Sequence, residues 1–355
     1  MIGLRVNQMN YTATYKSDLT HAQTCCPNLQ SVYNSSVLVT GATGLVCSAI
    51  VDFLLNLNDT KRAGITVYVT ARSSDKAEKR FGVRMLRSDV VFVEYDAQKE
   101  IKWNFDVDFI IHGASPANPA LYAKQPVETM LANFFGMNNV LQYAKNHKTN
   151  RVLFISSSEV YGRKDNADPY GDAEYGYVDI LNPRACYPSA KRACETLCAS
   201  YKAEYDVDSV TVRLGHIYGP TATKADTRAS SQFFYDVIEG HDIVMKSAGS
   251  QMRSYCYVID CVSAIMTVLL NGESGKAYNI SNPTSVVTIR ELAEQIAKKA
   301  AKEVIFENPS DEECKGYNLM DNSSLDSTRL QRLGWGGIFN LQTGVSHTLS
   351  IMQGE

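Results

Sequence analysis

Six short apolar runs, most of them separated by stretches of helical periodicity, constrain this chain more than any other feature. The runs are Ser36–Thr40 (SVLVT) and residues 65–70 (ITVYVT), 90–94 (VVFVE), 109–112 (FIIH), 151–156 (RVLFIS) and 209–213 (SVTVR). Residues 44–57, 127–146 and 187–205 between them carry helical spacing. Strands that are apolar throughout, rather than on alternate positions, are buried on both faces, so the expected class is α/β with a doubly wound parallel sheet. From about Gly219 the rhythm shortens. Helices are expected at 231–239, 262–270 and 288–302, joined by loops that carry Arg228 and Arg253. This predicts a smaller C-terminal lobe closing over the sheet, with the ligand cleft between the two. Residues 1–35 are polar and aperiodic, and read as an N-terminal extension lying over the fold.

The 355 residues are 45% hydrophobic, enough for a large core, and the net charge is -3. That charge gives no reason to expect nucleic acid or an anionic membrane as partner. Any anionic ligand must be held by local arginines and helix N-termini. Nine cysteines form an odd count without a C-x-x-C pair, which suits free thiols in a reducing cytoplasm. The N-terminal stretch lacks the apolar core of a signal peptide, and no apolar run is long enough to span a bilayer. The six histidines show no metal-ligand spacing, so no metal is expected.

Between the first strand and its helix stands Thr40-Gly41-Ala42-Thr43-Gly44-Leu45-Val46-Cys47. Gly41 permits a tight turn, and Gly44 lets a pyrophosphate approach the backbone while the helix N-terminus offers unpaired N–H groups. In this strand–helix context the motif reads as a Rossmann-type dinucleotide site. Two positions depart from the usual pattern. Cys47 stands where a third glycine is common. The second strand ends in Val69-Thr70-Ala71-Arg72-Ser73-Ser74, without the acidic residue that takes the adenosine ribose 2′-hydroxyl. Arg72 can meet a 2′-phosphate instead, so NAD and NADP both stay open. Asp96 reads equally as an adenine contact or as a loop cap.

Tyr187-Pro188-Ser189-Ala190-Lys191 sets tyrosine and lysine four apart on one helical face. A tyrosine is a poor base at neutral pH, but a neighbouring ammonium and a cationic nicotinamide ring would favour its phenolate. It could then take a proton from a substrate hydroxyl while hydride passes to the cofactor. Y-x-x-x-K alone carries little weight, since Tyr95 and Lys99 match it by chance among twenty tyrosines. The Tyr187 copy is set apart by opening a helix soon after a strand that ends in Ser156-Ser157-Ser158-Glu159-Val160-Tyr161-Gly162.

In this order the glycine turn, the S-S-x-x-V-Y-G segment and Y-x-x-x-K resemble the extended short-chain dehydrogenase/reductase family of nucleotide-sugar epimerases, dehydratases and decarboxylases. The resemblance runs from about residue 36 to the end, including Leu333-Gly334-Trp335. It implies an NAD(P)-binding Rossmann domain over 36–218 and a substrate lobe over 219–355, interleaved with the sheet. By the same likeness Ser157, Tyr187 and Lys191 are catalytic, joined by Glu159. Gly41, Thr43, Gly44, Leu45, Arg72, Asp96, Ala114, Asn133 and Lys191 are expected to hold the cofactor, NAD, with NADP not excluded. Ser115, His216, Arg228 and Arg253 are expected to hold a nucleotide-sugar. A homodimer through helices near 127–146 and 187–205 is also implied.

The shared opening move in such enzymes is oxidation of a sugar hydroxyl, usually at C4, to a ketone. A 4,6-dehydratase resembles Thr-Asp-Glu at the position of Ser157-Ser158-Glu159, so here its acid is absent. The decarboxylases that convert UDP-glucuronate are closer, through His112-Gly113-Ala114-Ser115-Pro116-Ala117-Asn118-Pro119, Asn182-Pro183-Arg184-Ala185-Cys186-Tyr187 and Gly249-Ser250-Gln251-Met252-Arg253. His216 stands where the family usually has a substrate-contacting asparagine, and reads equally as a structural histidine. Decarboxylation is therefore the first expectation, 4-epimerisation the second and 4,6-dehydration the third. A non-catalytic regulator on the same fold is the rival from another class.

Overall fold

The structure is a computed structural model that describes residues 9–117, 122, 124–308 and 320–355. Asn118 and Pro119 of the segment after His112, and the first eight residues of the N-terminal extension, lie outside the described residues. Seven parallel strands make the central sheet, in the order β10-β6-β5-β4-β1-β2-β3. They are β1 (Ser36–Thr40), β2 (Thr66–Ala71), β3 (Val90–Glu94), β4 (Phe109–His112), β5 (Arg151–Ser157), β6 (Ser209–Leu214) and β10 (Ala277–Ile280). Alternate residues of each strand feed two different cores. Val37 and Val39 point into one, with Ile50, Phe53 and Leu54 of α2 (Leu45–Lys61). Leu38 points into the other, with Met137 and Leu141 of α4 (Pro126–His147) and Cys194 and Cys198 of α5 (Cys186–Tyr205). This two-sided burial is why the strands read as unbroken apolar runs.

The strand order reverses between β1 and β4, which leaves a crevice above their C-terminal ends. Helix α3 (Ser74–Phe81) links β2 to β3 on one side of that crevice. The lobe is built from short pieces: β7 (His216–Tyr218), α6 (Ala229–Ile238), β8 (Ile243–Met245) and β9 (Met252–Tyr257). After α7 (Val258–Asn271) the chain returns to the main sheet as β10, pairing in parallel with β6. It then supplies β11 (Val286–Thr288), α8 (Ile289–Lys299), β12 (Val304–Phe306) and β13 (Asn322–Ser323), and closes with α9 (Leu341–Gln353). Helix α8 starts on a reciprocal cap, Thr288 with Glu291, which satisfies donors at both positions.

The extension is more than an aperiodic cover. Residues 13–22 form α1 (Ala13–Ala22), capped by Thr12, whose hydroxyl accepts from the Tyr15 N–H. Tyr15, Leu19 and Ala22 are fully buried at helical spacing, and α1 packs on α2 and α7. Its Asp18 accepts from the Tyr257 hydroxyl at 2.8 Å. Among the described residues, no helix is long and apolar enough to cross a membrane.

Candidate active site

At the crevice, Gly41 adopts φ +67°, and a Cβ there would sit 2.9 Å from the backbone of Ala114. The Thr40 hydroxyl accepts from the N–H groups of Gly113 and Ala114, both at 3.1 Å, so the ends of β1 and β4 are clipped together. Gly44 is the N-cap of α2 and brings no side chain to its first turn, leaving those N–H groups available to an anion. Cys47 fits its position because its neighbour is small. A Cβ on Gly113 would lie 2.3 Å from the Cys47 Sγ. The Cys47 thiol is buried and its pKa is pushed up to about 12, so it packs as a small hydrophobe. The cradle thus fits a dinucleotide pyrophosphate, with α2 close against the sheet.

β5 ends at Ser157, and α5 begins one residue before Tyr187. Ser157 hydrogen-bonds the Tyr187 hydroxyl, and its Oγ also accepts from the Glu159 N–H at 3.2 Å. Tyr187 is nearly buried, its ring stacked 4.6 Å from that of Tyr122. One turn on, the Lys191 ammonium lies 5.7 Å from the Tyr187 ring centre and donates to the Ile155 carbonyl at 2.9 Å. The sequence leads one to expect a lowered phenol. With the protein's own groups it is instead pushed up to about 12, because burial and the Glu159 carboxylate outweigh Ser157, Arg228 and Tyr122.

Burial pulls Lys191 down to about 8. The unfolded chain therefore binds this proton more tightly than the folded one. Below pH 8 both states are protonated and the fold carries the whole cost; as pH rises from about 8 towards the ordinary lysine value of 10.5, the folded state sheds its proton and the cost fades. Lys191→Met should remove that rise and stabilise the protein at pH 7 by on the order of 2 kcal/mol. Thermal melts at pH 7 and pH 10 check this: a variant that melts lower than the native protein at pH 7 contradicts it.

Around the tyrosine stand three arginines. Arg184 grips both oxygens of Glu159, at 3.1 and 3.2 Å, and lies 4.9 Å from the Tyr122 ring centre. Arg228 is held by Asp226, with Nε 2.9 Å from Oδ1. Arg253 is almost fully buried, yet donates only to backbone carbonyls, those of Met252 and Met320 at 2.9 Å and Asp321 at 3.4 Å. Among the described residues it has no carboxylate partner. Half-buried His216 keeps its Nδ1 enclosed without a hydrogen-bond partner, edge-on to Tyr255 at 5.7 Å. Burial, then Arg253 and Arg228, hold it down to about 3, so it meets a ligand as a neutral imidazole.

The cleft encloses about 1980 Å³ and spans both lobes. Gly41, Thr43, Gly44, Leu45, Arg72, Asp96, Ala114 and Ser115 line one end; Ser157, Glu159, Tyr187, Lys191, His216, Arg228 and Arg253 line the rest. Asn133 is the exception among the expected residues. It is buried behind the wall, where its Oδ1 accepts from the Ser115 hydroxyl at 2.8 Å and its amide donates to the Thr129 carbonyl. It orients Ser115 rather than facing the cleft. Asp96 does cap its own loop, accepting from the Gln98 N–H at 3.1 Å, while still lining the cleft. Sequence reasoning assigned no role to Tyr122 or Arg184. Their signal, a ring stacked across 65 positions and an ion pair across 25, has no local signature.

Residues 37–281 match the NAD dependent epimerase/dehydratase family. The chain is 32% identical to UDP-glucuronic acid decarboxylase 6 of Arabidopsis thaliana, over 79% of each. It is 28% identical to UDP-glucuronic acid decarboxylase 1 of Xenopus tropicalis, over 90% of this chain and 72% of that one. Among solved structures, the UDP-glucuronic acid 4-epimerase of Bacillus cereus superposes with TM-score 0.75 at 20% identity, covering 89% of this chain and 98% of the other. The glycine cradle, the Ser157–Tyr187–Lys191 cluster and these matches agree, and this chain is an enzyme of the NAD-dependent epimerase/dehydratase family.

Proposed function

We propose that the chain decarboxylates a nucleotide-linked uronic acid, UDP-glucuronate first among them, through a transient 4-keto sugar. The observation that carries this reading is Arg253, a buried guanidinium beside the catalytic cluster whose hydrogen-bond partners among the described residues are all carbonyls. A buried cation without a counter-ion is costly, and an anionic sugar or its diphosphate would relieve it. Among the described residues Glu159 and Asp226 are already paired with Arg184 and Arg228, whereas Arg253 and the Lys191 ammonium near Tyr187 make no ion pair. The curated relatives named as UDP-glucuronic acid decarboxylases favour the same substrate.

In this reading Gly41, Thr43, Gly44 and Leu45 hold the pyrophosphate of the cofactor, and Lys191 its nicotinamide ribose. When bound, nicotinamide dinucleotide supplies an acceptor for the C4 hydride and later returns it. Tyr187 takes the C4 hydroxyl proton, and Ser157 hydrogen-bonds the same oxygen. The resulting ketone lies β to the carboxylate, so the bond from C5 to the carboxyl carbon breaks, CO2 leaves, and the electron pair becomes a C4–C5 enolate. Tyr187, now carrying the proton, stabilises that oxygen as an acid. Solvent water reaching the cleft then gives C5 the proton that replaces the lost CO2, and Tyr187 returns its own to the C4 oxygen on reduction. His216, uncharged, offers a hydrogen bond to the sugar or diphosphate where relatives use asparagine. Glu159 and Arg184 fix Tyr122, and through it the Tyr187 ring.

Incubation with UDP-glucuronate and mass spectrometry of the nucleotide sugar tests the proposal. Loss of the mass of CO2 is expected. Loss of water would replace it with dehydration, and an unchanged mass at a new retention time would replace it with 4-epimerisation. We further infer a cytoplasmic homodimer. The eight described cysteines are free thiols, which suits a reducing compartment. On α4, Met130, Leu131, Phe134 and Phe135 each leave more than two-fifths of their surface in water, an apolar stripe suited to a second copy.

A further inference from the structure

We propose that Tyr122 is a working part of the acid–base centre: its hydroxyl donates to the Tyr187 oxygen and holds the phenolate that forms there in each turnover. This rests on Tyr187 being the base that takes the C4 proton. The two rings lie 12° from parallel with their centres 4.6 Å apart, both are buried, and their hydroxyls hydrogen-bond at the wall of the cleft. Both residues line that cleft.

A buried phenolate needs donors, because an anion out of water and without them is strongly destabilised. Three groups stand close to this one. Lys191 gives its field, with its ammonium 5.7 Å from the ring centre, while the hydrogen bond it makes among the described residues goes to the Ile155 carbonyl at 2.9 Å. Ser157 hydrogen-bonds Tyr187 in the protein alone, but a hydroxyl has one proton to give. Once a sugar hydroxyl enters, that proton is needed at the C4 oxygen, and on its acceptor side Ser157 already takes the Glu159 N–H at 3.2 Å. Tyr122 is then the donor that stays on Tyr187. It keeps its own proton throughout; only its hydrogen bond strengthens as charge develops on the Tyr187 oxygen.

The surroundings of Tyr122 suit it to donate rather than to ionise. Burial, then the neighbouring Tyr187 and Glu159, hold its phenol well above the ordinary range. Of the two phenols, Tyr187 has the donors that let it ionise. The Arg184 guanidinium lies over the Tyr122 ring, 4.9 Å from its centre, and is held there by two bonds to Glu159. Its Nε is enclosed without a hydrogen-bond partner among the described residues, so that face of the cation is spent on the ring. A cation over a phenol draws charge from it and makes its O–H a stronger donor. The Tyr122 carbonyl also accepts from the thiol of Cys186, the residue before Tyr187, at 3.8 Å, which ties the two ring-bearing segments together.

The pH dependence of turnover tests this on the full chain with UDP-glucuronate as substrate. Decarboxylation, epimerisation and dehydration all begin with the same proton transfer, so the profile serves whichever follows. Tyr122→Phe keeps the stacked ring and removes the donor. The rise of rate with pH should move about one unit higher, with kcat at pH 7 down about tenfold, the native rate regained at high pH and KM within about twofold, the effect of one hydrogen bond to a charged oxygen. Tyr122→Leu, which loses ring and donor together, should show the same displacement on a lower plateau. A Tyr122→Phe profile that is scaled down without moving makes Tyr122 a packing residue and overturns the proposal. A change in KM alone makes it a substrate contact and overturns it too. Both results leave Tyr187 as the base. Absence of turnover, a native profile flat with pH, or Tyr187→Phe as active as the native protein overturns the base together with its donor.

Discussion

Replacing Tyr187 by phenylalanine is expected to lower kcat on the accepted nucleotide sugar by about 10²–10⁴, the range that a positioned acid–base group contributes. The substitution is close to silent elsewhere. The phenyl ring keeps its stack on Tyr122 at 4.6 Å, and the burial that shapes the cleft is unchanged. What goes is one hydroxyl with its hydrogen bonds to Ser157 and Tyr122, worth about 1 kcal/mol of stability. The loss should therefore fall on kcat rather than on substrate affinity. The sign of the pH dependence follows from the raised phenol. With its pKa pushed up to about 12 by burial and Glu159, Tyr187 is protonated at neutral pH in the protein alone. A bound nicotinamide cation lowers it, and the fraction able to accept a proton grows with pH. The native rate should rise with pH from neutrality, and the residual rate of Tyr187→Phe should be flat. A phenylalanine variant that turns over at the native rate removes Tyr187 from the chemistry.

Most of the sheet was legible because each central strand is buried on both sides and so carries its own signature. Val90–Glu94 and Phe109–His112 fall where the sequence places them, and the helix expected at 127–146 runs Pro126–His147. The placement of Ser157, Tyr187 and Lys191 side by side was legible for a related reason, since a strand end and the first turn of the following long helix fix these residues in order. Helix α1 was not read, although Tyr15, Leu19 and Ala22 give it an apolar stripe. The rest of the helix is polar, and its partners α2 and α7 are distant in the chain. The small strands of the lobe, two to six residues each, escape for the same reason: His216–Tyr218 becomes a strand only because Tyr255–Tyr257 lies beside it. Charge partners were the least legible. Arg253, Arg228 and Arg184 look alike in sequence, and only the fold shows that two of them have a carboxylate and one does not.

The largest stability effect is expected at Asp52, a residue with no part in the chemistry. Its carboxylate is fully buried in α2 and gathers groups from the segment before α1, from α1, from α3 and from the turn that follows α3. The hydroxyls of Tyr11 and Tyr15 donate to it at 2.9 Å, and Arg80 of α3 reaches it at 2.5 Å with Arg84 behind at 3.8 Å. Asp52→Ala strips from the buried Arg80 its only counter-ion among the described residues, and breaking such a pair on one side costs about 3–5 kcal/mol. Chemical denaturation should show a loss of this size, with the midpoint shifted and α1 newly open to protease. Replacing both partners, Asp52→Leu with Arg80→Met, should recover most of it, because the penalty lies in the orphaned charge and not in the lost attraction. A single variant as stable as the native protein would mean that water reaches Arg80 and that the cluster is not the clamp its geometry describes. The effect should also travel. α3 starts two residues after Arg72 and carries Lys76, so loosening its far end at Arg80 frees the segment that lines the adenosine end of the cleft. Asp52→Ala is therefore expected to weaken dinucleotide binding several-fold even below its melting point, and the double replacement to restore it.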